Sequence, residues 1–189
     1  PEADSAKLGL SVAALVLEST RRVDHWAEIR TFVPSDAMHF RVRPGQKAPH
    51  ESEDPETAAA LLPLLDGSRS ALEVVACFPD RRFLAWKLLA ELVRDHVARP
   101  ATGDDLLALA DAAEGEDAQR ARLLVQRALD SEPHHLGLLA AEARLAEALG
   151  DKAAATAAHK LLAHLHLEAG RADEGRAALT EGRRLSPAD

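Results

Sequence analysis

Residues 121–133 read ARLLVQRALDSEP and residues 168–187 read EAGRADEGRAALTEGRRLSP. In the first run Ala121, Leu124, Val125, Ala128 and Leu129 fall at i, i+3, i+4, i+7 and i+8, one face of a helix, and Arg120, Arg122, Arg127 and Asp130 keep the other face in water. Pro133 forbids continuation, because it lacks an amide proton and clashes with the preceding turn. A second helix from about His135 to Leu149 presents Leu138, Leu145, Ala146 and Leu149. Gly150 is placed to close it in the left-handed conformation, and Asp151 to cap the next. That helix carries Ala154, Ala158, Leu161, Leu162, Leu165 and Ala169 as far as Gly170. The last helix carries Gly175, Ala178, Leu179, Gly182 and Leu185 before Pro187. With Leu106 to Ala113 in front, the pattern predicts five short amphipathic helices over residues 101–189.

The small residues say how these helices meet. Ala121 and Ala128, and Gly175 and Gly182, are spaced by seven, which lets a neighbouring backbone approach closely, as paired helices in a solenoid must. On these residues the region resembles tetratricopeptide repeats: Ala121, Ala128 and Pro133, then Gly170, Gly175, Gly182 and Pro187, stand at that family's small and proline positions. The resemblance covers the last 85 residues or so and implies a groove that holds another polypeptide. Pro133 and Pro187 lie 54 residues apart, whereas two repeats of about 34 residues would need about 68. The helix from Lys152 to Ala169 is therefore expected to serve two pairs. In the register set by Gly150 and Gly170, the groove exposes Arg144, Glu147, Lys160 and His164.

Upstream, Leu8, Val12, Leu15, Val23, Trp26 and Ile29 recur at helical spacing from about Ser5 to Arg30. Met38, Phe40 and Val42 then alternate with His39, Arg41 and Arg43, predicting a half-buried strand over 38–43. Pro44 to Asp54 reads as a solvated loop. Asp54-Pro55 starts a helix running to about Leu65 and ending at Gly67. Ser70 with Glu73 makes a capping box for a second helix, and Asp80 is placed to cap a third over 81–95. A strand over 96–99 can pair with 38–43. The expected fold is mostly α: a small winged-helix-like α+β domain over 1–100, followed by the helical array of 101–189.

Residues 1–100 also resemble the C-terminal half of the PATAN domain, a family of bacterial signalling modules. The match is carried by Leu17, Glu18, Arg21, Arg22, Asp24 and Trp26 on the first helix and by Leu65, Asp66, Gly67, Ser70 and Leu92 further on. That family's glycine-rich sheet half has no counterpart here. The resemblance implies regulated protein binding in signalling or motility, with no enzyme activity, and makes Arg21 and Arg22 candidate partner contacts.

Composition narrows the function classes. The formal charge is −8 and aromatics make up 3%; residues 55–99 carry six basic and six acidic side chains, where a nucleic-acid surface shows a basic excess. A DNA-binding transcription regulator, with Arg81, Arg82, Lys87 and Arg94 on its second helix, is the alternative to a protein-binding scaffold. Cys77 is the only cysteine, so no internal disulfide forms and a reducing, cytoplasmic compartment fits; its expected place is the core, as a small hydrophobe. Leu8 to Leu17 is too short to span a membrane and lacks the flanks of a signal peptide. Pro1 in place of an initiator methionine predicts further sequence upstream. No nucleophile elbow, phosphate loop or zinc motif is present. His159, His164 and His166 lack the partners of a tetrahedral metal site. No catalytic residue, cofactor or metal is expected; the partner is a protein, its identity and the oligomeric state being unreadable from the residues.

Overall fold

The computed structural model describes residues 23–47 and 53–186. Its first helix, α1, is described over 23–32. It lays Ile29 and Val33, at its end, into the core, while Trp26 packs edge-on against Phe83 at 5.8 Å between ring centroids. The Arg30 guanidinium lies 5.4 Å from both the Trp26 and Trp86 rings, so a cation covers the aromatic pair where it meets solvent. Val23, expected on the buried face, is 67% exposed.

After α1 the order is β1 (His39–Val42), α2 (Pro55–Leu61), β2 (Asp66–Ser70), α3 (Ala71–Ala76), α4 (Arg82–Arg94) and β3 (Ala98–Pro100). Asp54 caps α2 by accepting from the Thr57 amide, with Pro55 at the first helical position. Ser70 and Glu73 form the reciprocal capping box of α3. The three strands make one antiparallel sheet in the order β2-β1-β3, with Phe40 opposite Pro100 and His39 opposite Ser70. The pairing of 38–43 with the segment after α4 is as expected; β2 is not. The predicted helix to Leu65 ends at Leu61, tightens into a 3-10 turn over Leu62–Leu64, and Asp66–Ser70 then pairs with β1. Gly67 holds φ +90°, which L side chains rarely adopt, and there the chain turns against β1.

Asp80 does not cap α4. Pro79–Arg81 form a 3-10 turn, and α4 begins after Arg81 with no side-chain cap. Cys77 is likewise not in the core. It sits exposed just past α3, its thiol donating to the Glu73 carbonyl at 3.4 Å, because Ala71, Val74 and Val75 take the buried face of α3 and Cys77 follows its end off that face.

Five helices follow β3 among the described residues: α5 (Gly103–Glu114), α6 (Ala118–Ser131), α7 (Leu136–Ala148), α8 (Lys152–Glu168) and α9 (Ala172–Leu185). The starts of α5 to α8 are written locally, while α9 begins after Arg171 with no side-chain cap. Thr102 with Asp105, Asp117, His135 and Asp151 each accept a backbone amide at a helix N-terminus, and Gly150 at φ +78° ends α7. Each helix packs on the next, α5 also meets α7, and α8 contacts both α7 and α9. Ala121, Val125, Leu138 and Leu145 are fully buried, the leucines contributing about 1.5–3 kcal/mol each. Leu149, expected among them, is 37% exposed at the end of α7. On α9 only Gly175 and Gly182 are buried; a Cβ at Gly175 would stand 3.2 Å from the Ala163 carbonyl, so α9 lies backbone to backbone on α8.

The sheet is covered on both faces. Phe40 belongs to the first core, with Leu61, Leu88 and Leu89, while Leu109 of α5 and the Arg41 stem crowd Gly67 on the other side. His39, expected on a wet face, is 5% exposed, since its Nδ1 donates to the Gly67 carbonyl at 2.7 Å within the space the array closes. Burial pushes its pKa down. Two ion-pair groups fasten the seam: Asp105 accepts from Arg99 and from Arg41 at 2.8 Å, and Arg127 of α6 grips Glu73 of α3 with both terminal nitrogens.

Candidate functional site

The α7 residues Ala140, Ala143, Arg144 and Glu147 recur at i, i+3, i+4 and i+7 and so share one face. With His159 and Leu162 of α8 they line a depression of about 250 Å³. Ala140, Ala143 and Leu162 give it an apolar lining, with Ala140 exposed, and the charged side chains form its rim.

That rim is drawn from four helices. The Arg144 guanidinium reaches to α5, donating to Asp111 at 2.8 Å and to Glu114 at 2.7 Å and 3.1 Å. Glu147 accepts from His159 Nε2 at 3.1 Å and from Arg184 of α9 at 2.7 Å, and those two hydrogen bonds hold its carboxyl below the usual carboxylate range. Arg184 also binds Glu181. The His159 Nε2 faces Glu147, while its Nδ1 is buried and has no hydrogen-bond partner. Further along the α5–α7 seam, His135 contacts Asp104, which is 86% exposed.

Of the sequence-derived candidates, Arg144 and Glu147 are brought together. Lys160 lies apart, lining a second cavity of about 330 Å³ with Lys152, Thr156 and Leu185. His164 pairs with Glu168 one turn along α8. Arg21 and Arg22 lie outside the described residues. Asp111, Glu114 and Arg184 were missed: on their own helices they look like ordinary solvated charges, and only the packing of α5 and α9 beside α7 assembles them.

Three of the four basic residues that a DNA-binding surface would use are paired within the chain. Arg81 donates to Asp54 and Thr57, Lys87 pairs with Glu53, and Arg94 pairs with Glu28 and Asp95. His159 and His166, considered as a metal pair, are each tied to another side chain, Glu147 and Arg171. Among the described residues no group of three or more His, Cys, Asp or Glu could hold a metal ion, and no helix is long and apolar enough to cross a membrane. No family model, curated protein or solved structure matches this chain.

Proposed function

We propose that this chain is a non-enzymatic adaptor of bacterial signalling or motility, working in the cytoplasm. Its helical array, tetratricopeptide-like in residue pattern, holds a segment of a partner protein, and residues 1–100 form a winged-helix-like module of PATAN type. The observation that carries the reading is the depression on α7 and α8, with Ala140 exposed over the buried Ala143 and Leu162 and a charged rim supplied by α5, α7, α8 and α9. Recognition of an extended or helical segment uses such a combination: small apolar contacts give affinity, and charges at the edge fix register. The rim's ion pairs are largely solvent-exposed, with Arg144 at 52% and Arg184 at 57%, and exposed pairs contribute only about 0–1 kcal/mol each. An incoming charged side chain can therefore replace an internal partner at small cost.

A photo-crosslinking residue placed at Ala140 tests this in cells of the source organism. The expected result is a discrete crosslinked protein from Ala140 and none from the same residue at Asp130, an exposed position on α6, which does not line the depression. Identical crosslinks from both positions, or none from Ala140, would overturn the assignment.

A further inference from the structure

We infer that the segment held in this groove is basic, an arginine- or lysine-bearing stretch with small apolar residues between its charges; this rests on the adaptor reading above. The helices of the array differ in charge, with α9 balanced, Asp173, Glu174 and Glu181 against Arg176, Arg183 and Arg184. The first, α5, carries Asp104, Asp105, Asp111 and Glu114 and no basic residue, and α7 carries Glu142 and Glu147 against Arg144. Helices α6 and α8 lean the other way, α6 with Arg120, Arg122 and Arg127 against Asp130, and α8 with Lys152 and Lys160 against Glu168. At the groove itself, the carboxylates of Asp111, Glu114, Glu147 and Glu181 surround two guanidinium groups.

Each of those guanidiniums is already shared between two carboxylates: Arg144 between Asp111 and Glu114, Arg184 between Glu147 and Glu181. The built-in Arg144 contact shows that the α5 carboxylates stand at the right separation to accept one guanidinium from across the seam. The site is short of cations, since four carboxylates, Asp111, Glu114, Glu147 and Glu181, share two guanidinium groups. A partner carboxylate would enter a field of its own sign, whereas a partner guanidinium or ammonium adds the missing charge. The exposed Ala140 beside that rim, with the edges of Ala143 and Leu162 beneath it, then takes a small apolar residue of the same segment.

The test uses the full chain and two fluorescein-labelled synthetic peptides, a repeated Leu-Ala-Arg-Arg and a repeated Leu-Ala-Glu-Glu, followed by fluorescence anisotropy. The arginine peptide is expected to bind, to weaken as salt is raised, and to lose about tenfold or more of its affinity to the Asp111→Lys/Glu114→Lys chain. The glutamate peptide is expected to bind only that reversed chain. Asp130→Lys, a reversal of the same sign on α6, should leave arginine-peptide binding within about twofold of the parent. Asp111→Asn/Glu114→Gln guards against misfolding of the reversed chain, and it should weaken the arginine peptide while retaining the parent's far-UV circular dichroism. Equal weakening by Asp130→Lys would reduce the effect to overall charge, and binding of the glutamate peptide to the parent chain would reverse the sign; either overturns the proposal. In both cases a specific crosslink from Ala140 would leave the adaptor reading standing, while loss of that crosslink would remove both.

Discussion

Glu73 satisfies two structural demands with one carboxylate. It accepts the Ser70 amide to close the cap of α3, and it receives both terminal nitrogens of Arg127 from α6. The Arg127 hydrogen bonds, ahead of opposing desolvation and with help from Ser70, hold its carboxyl down to about 2 from an ordinary 4.5. The folded-state value is the lower one, so its stabilisation is complete above pH 4.5 and drains away as pH falls toward 2. Urea midpoints measured between those limits should fall more steeply for the parent than for Glu73→Gln, and parallel curves would remove the charge from the account. His39 shows what a single residue type conceals. A histidine alternating with Phe40 reads as solvent-facing, yet it is buried because its cover comes from another part of the chain.

Helices α5 to α9 were legible because their spacing and stops are local, as are the caps of all but α9: Asp117, Asp151 and Gly150 sit where the caps and the closing turn are found. Strand β2 was not. Asp66–Ser70, DGSRS, has no β-branched or aromatic residue, and its extended form is imposed by hydrogen bonding to β1. The groove was half legible, because Arg144 and Glu147 share a helix face while the residues that complete the rim arrive from α5, α8 and α9. The two α9 glycines, alike in sequence, differ in packing. A Cβ at Gly182 meets the His159 Cβ at 3.4 Å and nothing nearer, so Gly182→Ala should gain part of the roughly 1 kcal/mol by which alanine exceeds glycine in a helix. At Gly175 a Cβ falls 2.8 Å from Leu167 Cγ and 3.2 Å from the Ala163 carbonyl. Leu167 can swing, being 47% exposed, but the carbonyl cannot, so Gly175→Ala should be neutral or destabilising. Equilibrium urea unfolding of both variants checks the order, and equal shifts would count against the tight α8–α9 approach.

At the level of the whole molecule, two apolar clusters, one around Phe40 and Leu89 and one around Leu124 and Leu138, meet across the sheet. Asp105 is the polar centre of that meeting. It caps α5 through Thr102 and binds Arg99 and Arg41, its side chain only 12% exposed, and the arginine bonds hold its carboxyl well below the usual range. Asp105→Asn should therefore cost about 1.5–3 kcal/mol, as lost charge-assisted hydrogen bonds do. Both tryptophans, Trp26 and Trp86, belong to the first cluster, so their fluorescence reports that part while circular dichroism follows all the helices. The two signals should coincide on unfolding of the parent and separate in Asp105→Asn; coincidence in both would show that the apolar seam alone couples the clusters.

The close fit of Leu109 over Gly67 also decides what happens when the array is excised for use as a portable binding module. Cutting at residue 101 strips the roof from Leu109 and removes both arginines that Asp105 accepts from. A graft would then carry a sticky, negatively charged end, which a polar replacement for Leu109 and a neutral one for Asp105 would cure.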